Sequence, residues 1–266
     1  MKKIVLSFLI FSFVLTFFSC KDKNDISTNN TGQIDTAFVK TITFYSLDSL
    51  EITADHYHIN NSSPVIILCH QAGWSRGEYI EIATRLNDLG YNALAIDQRS
   101  GMAVNGIENE TAKNASIEQK SMRFIDAKQD IQAAIDWAKN RYNQKVILWG
   151  SSYSSSLSLM ISAERDDVSK VLAFSPGEYL QGISVQGNIS GISIPCFLTS
   201  SKSERAQTEK LYNAITNTSY KKQFIPMGDG QHGSRNLWSS MPDQEEYWAA
   251  VEVFLIFNFS NNNMIF

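Results

Sequence analysis

This chain lacks any excess of positive charge. Its 266 residues carry 23 basic and 27 acidic side chains, a formal charge of −4. No basic stripe is present, which argues against a nucleic-acid partner. No repeat of fixed period is visible, which excludes solenoids and propellers. Cysteine is scarce at three residues and histidine at four. His56 and His58 fall on one face of an early strand, but no cysteine or carboxylate cluster accompanies them. They read as solvated or packed strand residues rather than metal ligands. No metal and no organic cofactor is expected.

Long apolar runs are also missing, with one exception at the N-terminus. Met1-Lys2-Lys3 is followed by a largely apolar run from Ile4 to Phe18. As a helix it would span roughly 22 Å, short of the roughly 30 Å hydrocarbon core. It ends in Ser19-Cys20, a small residue before a cysteine. The segment is similar to a bacterial lipoprotein signal, cleaved before Cys20, whose thiol would carry the lipid. Phe17 departs from the usual leucine three residues before the cysteine. Residues 20–36 are polar and without apolar period, and read as a flexible tether reaching roughly 20–25 Å. The expected organisation is therefore a signal peptide at 1–19, a lipid-anchored tether at 20–36 and one domain at 37–266. The protein would be exported and held on the cell envelope through its lipid.

From residue 39 onward, apolar runs of strand length alternate with segments of helical period. Two short strands, at 39–45 and 50–59, come first. Buried-strand runs follow at 64–69, 91–96, 145–148, 168–174 and 194–199, with a short last strand at 222–226. Helical periodicity covers 79–89, 117–142, 154–164, 204–216 and 243–257. Such alternation implies a mainly parallel sheet flanked by helices, with sites at the carboxyl ends of its strands. Ser100–Ser116 and Pro176–Ser193 read as long polar loops leaving those ends.

The sequence WGSSYS, residues 149–154, sits where a strand gives way to a helix. A nucleophile exposed there needs a sharp turn, with small residues two before and two after it. Gly150 and Ser154 make Ser152 the candidate, although Ser154 replaces the usual second glycine. His232, in GDGQHG, is the only histidine after Ser152 and follows the last strand. An acid should lie between them to orient the imidazole. Glu204, just past the strand 194–199, is the favoured candidate, with Glu178 as the rival. Oxyanion donors are expected at the backbone N–H of Tyr153 and at Ala72 or Gln71 in the loop His70–Trp74. His70 then shapes that loop, and Trp74, Tyr153, Tyr179 and His70 border the expected pocket.

With LCHQAGWSRGEY at 68–79, IDQRSG at 96–101 and TSSKSE at 199–204, this set resembles the α/β-hydrolase superfamily. Within it, the chain is similar to the dienelactone-hydrolase-like group over about residues 40–258. The resemblance implies an eight-stranded, mainly parallel sheet without a large cap domain. It also implies strands that keep Cys69 and Cys196 apart, as two free thiols. The group's namesake uses a cysteine nucleophile. A serine at 152 therefore implies a general carboxylic-ester hydrolase acting on a small ester or an acylated saccharide. The alternatives are a non-catalytic binding lipoprotein on the same scaffold, or a small peptidase or thioesterase.

Overall fold

The computed structural model describes residues 35–218 and 220–257. The expected signal peptide, Cys20 and nearly all of the tether lie outside them. Eight strands form one sheet: β1 (Phe38–Tyr45), β2 (Glu51–His58), β3 (Val65–Cys69), β4 (Asn92–Ile96), β5 (Val146–Ser151), β6 (Val168–Phe174), β7 (Cys196–Thr199) and β8 (Lys221–Phe224). Their order is β1-β2-β4-β3-β5-β6-β7-β8. β2 runs antiparallel to both its neighbours, and every later pairing is parallel.

Seven helices follow in chain order among the described residues: α1 (Ile80–Asp88), α2 (Glu110–Ile117), α3 (Lys128–Tyr142), α4 (Tyr153–Glu164), α5 (Val185–Asn188), α6 (Arg205–Ala214) and α7 (Gln244–Ile256). The central strands β3, β4 and β5 are buried along their whole length. Apolar residues on both faces, in place of alternation, are what a strand covered on both sides requires. Ile67, Leu94 and Leu148 face one core with α3 and α4. Ile66, Ala93 and Trp149 face the other, with α1 and α7. Cys69 on β3 and Cys196 on β7 are separated by β5 and β6, and both are free and buried.

Two expectations about connections change. The helix expected over 117–142 begins only at Lys128, behind a 3-10 turn at Phe124–Ala127. The loop expected at 100–116 instead contains α2, which Asn109 caps by accepting a hydrogen bond from Ala112 N–H at 2.7 Å. An Asn cap satisfies a donor that helical period alone does not reveal. His56 and His58 are buried and share the Tyr142 hydroxyl, at 2.5 and 2.9 Å. His58 also meets Asp35 at 2.8 Å.

Candidate active site

β5 ends at Ser151 and α4 begins at Tyr153. Ser152 stands alone between them at φ 59°, ψ −125°. A positive φ costs a residue bearing a Cβ roughly 1–3 kcal/mol and persists only where its surroundings impose it. They do so here. A Cβ on Gly150 would lie 2.4 Å from Ser155 Cα and 2.5 Å from Ser154 O, so strand and helix pass with room for hydrogen only. Ser154, in place of the second glycine, is fully buried and uses its hydroxyl. It donates to His70 O at 2.5 Å and accepts from Gln98 Nε2 at 2.5 Å. The departure from glycine thus fastens the turn to the neighbouring loop.

That loop is His70–Trp74, after β3. Gln98 N–H donates to His70 Nε2 at 2.9 Å, so the ring proton sits on Nδ1, which donates to Gln71 O at 2.7 Å. Burial holds the His70 pKa down at about 4, against backbone hydrogen bonds that raise it, so the ring is neutral. His70 therefore grips the carbonyl end of the Gln71–Ala72 peptide and sends the Ala72 N–H the opposite way. Gln71's own N–H is already taken, by Glu78 Oε2 at 2.8 Å. Of the two amides expected as donors, Ala72 is the one left open. The further expected donor, Tyr153 N–H, opens α4, where unpaired amides and the helix dipole favour negative charge.

His232 Nδ1 is hydrogen-bonded to Glu204 Oε1. The other carboxylate oxygen, Oε2, accepts Ser175 Oγ at 2.8 Å, Ser201 Oγ at 2.9 Å and Ser201 N–H at 3.2 Å. Burial alone would raise the Glu204 pKa, but the bonds from His232, Ser175 and Ser201 hold it down at about 2. The Glu204 side chain is 25 % exposed and that of His232 40 %. Glu178 is elsewhere engaged, accepting Val185 N–H at 2.6 Å and Gln186 N–H at 2.8 Å at the start of α5. Among the described residues no hydrogen bond joins Ser152 Oγ to His232 Nε2, which leaves that nitrogen bare. Such bonds are commonly long in empty sites and tighten around substrate.

The expected pocket residues separate. Tyr179 stands edge-on to His232, with ring centroids 6.4 Å apart. Its phenol donates to Ser175 O at 3.0 Å. Trp74 is half-buried and stacks on Trp238 at 5.3 Å. His70 is fully enclosed. Tyr153 presents no ring to solvent. Its ring is fully buried against Phe124, and its hydroxyl bonds Ser100 at 2.8 Å. A ≈ 440 Å³ cavity behind Glu204, lined by Glu178, Gln186, Gln207 and Lys210, reaches neither Ser152 nor His232.

Sequence reasoning missed Ser175, Gln98 and Glu78. Ser175 follows β6 at φ 52° and links Gly233 N–H, at 2.9 Å, to Glu204. Its only signal was a small polar residue at a strand's carboxyl end. No group of three or more His, Cys, Asp or Glu among the described residues is arranged to hold a metal.

The sequence profile of the dienelactone hydrolase family matches residues 52–233. No curated protein matches the chain. Among solved structures, an esterase from Pyrococcus furiosus is 18 % identical with a TM-score of 0.66, covering 82 % of this chain and 92 % of its own. A dienelactone hydrolase from Anabaena variabilis is 16 % identical with a TM-score of 0.65, covering 83 % and 97 %. An acylaminoacyl peptidase from Pyrococcus horikoshii is 15 % identical with a TM-score of 0.62, covering 84 % of this chain and 42 % of its own. At these identities the structural likeness establishes the α/β-hydrolase fold.

Proposed function

The chain belongs to the dienelactone hydrolase family and is a hydrolase, and from that premise we propose that it cleaves carboxylic esters through a serine nucleophile. The observation that carries this reading is a His232 whose Nδ1 is held by Glu204, in a fold that also sets Ser152 in a strained turn between strand and helix. An imidazole held at Nδ1 presents Nε2 as a base. Ser152 Oγ attacks the acyl carbon and Nε2 takes its proton. The carbonyl oxygen, now negative, receives the N–H groups of Ala72 and Tyr153. His232 returns the proton to the leaving alcohol, and the same base then activates water to free the acid. Glu204 keeps the imidazole oriented and stabilises its cationic form.

The substrates we favour are small carboxylic esters and acylated saccharides, with Tyr179, edge-on to His232, as an aromatic wall. The N-terminal signal supports export and a lipid on Cys20, tethering the hydrolase to the cell envelope. Incorporation of labelled palmitate, lost in Cys20→Ala, tests that anchoring.

The hydrolytic reading is tested with a fluorophosphonate probe on the wild-type protein, Ser152→Ala and His232→Ala. Labelling of the wild type alone is expected. A folded wild type that excludes the label although small probes reach Ser152 would favour a non-catalytic binding lipoprotein on this scaffold.

A further inference from the structure

Glu78 lies on the 3-10 turn Arg76–Tyr79 and is 1 % exposed. Its two carboxylate oxygens have separate partners. Oε2 accepts Gln71 N–H at 2.8 Å, and Oε1 accepts the Ser151 hydroxyl at 2.7 Å. Ser151 Oγ in turn accepts Ser234 N–H at 2.9 Å. Gln71 immediately precedes Ala72, Ser151 immediately precedes Ser152, and Ser234 lies just beyond His232. One carboxylate thus connects the oxyanion loop, the nucleophile turn and the histidine loop through no more than two hydrogen bonds. The Glu78 backbone carbonyl adds a fourth tie, accepting Trp238 Nε1 at 2.8 Å.

These loops meet without slack. Gly233, at φ 77°, has no room for a Cβ, which would sit 2.5 Å from Ser151 Oγ and 2.9 Å from Gln71 Oε1. A displacement of any one loop therefore moves the others. Burying a carboxylate is costly unless its hydrogen bonds are made. Burial pushes the Glu78 pKa up to about 7, against the bonds from Ser151, Gln71 and Ser234 and the field of His232. An apolar side chain would fill the same space at lower cost, so packing alone does not account for an acid at this position.

We propose that Glu78 is a positioning residue that holds the oxyanion donor, the nucleophile and the base in one frame, through Gln71 N–H, Ser151 and Ser234. Its carboxylate makes no hydrogen bond to Ser152 among the described residues. The proposal rests on the serine-hydrolase reading above and adds the part that sets its geometry.

The test is steady-state hydrolysis of p-nitrophenyl acetate by the full-length protein, with circular dichroism to verify folding. Glu78→Ala is expected to lose about 100-fold in kcat, the scale of a small misplacement of reacting groups. Its KM is expected to stay within about twofold, because no substrate contact is removed. Glu78→Gln should recover kcat to within about tenfold of wild type, since its amide oxygen still takes the Gln71 N–H. Wild-type kcat in folded Glu78→Ala, or a loss confined to KM, would overturn the proposal. So would a glutamine no better than alanine, because charge and not the hydrogen-bond frame would then be responsible. If the alanine variant does not fold, Ser151→Ala, which cuts the arms to the nucleophile turn and the histidine loop but spares the Gln71 bond, is expected to lower kcat at constant KM. Full kcat there would equally overturn it. A wild type that neither hydrolyses the ester nor takes the fluorophosphonate label would remove the hydrolase reading and the positioning role together.

Discussion

Gln98 N–H donates to His70 Nε2 at 2.9 Å and, with Asn109 Nδ2 at 3.2 Å on the same nitrogen, leaves the ring proton on Nδ1. The proton on Nδ1 then holds Gln71 O at 2.7 Å and turns the Gln71–Ala72 peptide so that Ala72 N–H faces away from the imidazole. A backbone amide on β4's exit therefore governs the orientation of a proposed oxyanion donor on the exit of β3. His70→Ala should leave Gln98 N–H and Gln71 O without this shared partner, at a cost of about 1–3 kcal/mol in stability. It should also lower kcat by about 100-fold, as misdirection of one oxyanion donor does. Thermal unfolding and ester hydrolysis on the same variant measure both.

Glu204 and Glu178 are expected to part company on mutation. Glu204→Ala frees the His232 ring and should reduce kcat by about 10³–10⁴-fold, as loss of an orienting acid does. Glu178→Ala removes only acceptors for Val185 and Gln186 N–H. Its kcat should remain within about twofold, while stability falls by about 1 kcal/mol through loss of a helix-start acceptor. Reversed kinetics would reassign the acid.

Gly150 and Gly233 tolerate no methyl group for different reasons. At Gly150 the obstruction is backbone, Ser155 Cα at 2.4 Å, so the turn itself must open. At Gly233 it is the Ser151 hydroxyl at 2.5 Å, with a φ of 77° adding strain. Gly150→Ala should abolish fluorophosphonate labelling and cost about 1–3 kcal/mol, the scale of overpacking. Gly233→Ala should retain more of its fold and lose labelling through displacement of His232. Labelling rate and melting temperature distinguish the two.

The Glu78 carboxyl makes stability depend on pH in a definite direction. Its folded pKa, about 7, lies above its ordinary value of 4.5 because burial disfavours the charge. The folded state thus binds this proton more tightly than the unfolded chain. Its contribution is complete below about pH 4.5 and is lost as pH rises to about 7. His232 faces the group, and its field works against the rise, whereas Tyr79 and Cys69 are neighbours whose own ionisation Glu78 opposes. Glu78→Gln should therefore gain melting temperature relative to wild type between pH 5 and pH 8. An identical pH dependence in the two proteins would show that the buried carboxyl does not titrate in this range.

The sequence by itself determined the alternation of buried strands and helices, because a strand covered on both faces must be apolar throughout and a helix beside it must be apolar on one side. It also singled out Ser152 and His232, since few residue types can act as nucleophile or base, and turn geometry restricts the residues around them. Local pattern left Glu204 and Glu178 as rivals, for both lie a few residues past the carboxyl end of a strand. Only the tertiary structure separates them, because one carboxylate meets His232 and the other is consumed by the amides of α5. The same is true of Gln71 and Ala72, adjacent amides that differ by a hydrogen bond to Glu78, a residue seven positions on from Gln71. Gln98 and Glu78 sit inside the quoted motifs and Ser175 is a small polar residue at a strand's end, but nothing local reveals the role of any of the three. Their roles come from partners distant in the chain, and such hydrogen bonds exist only once the sheet has brought the ends of β3, β4, β5 and β6 together.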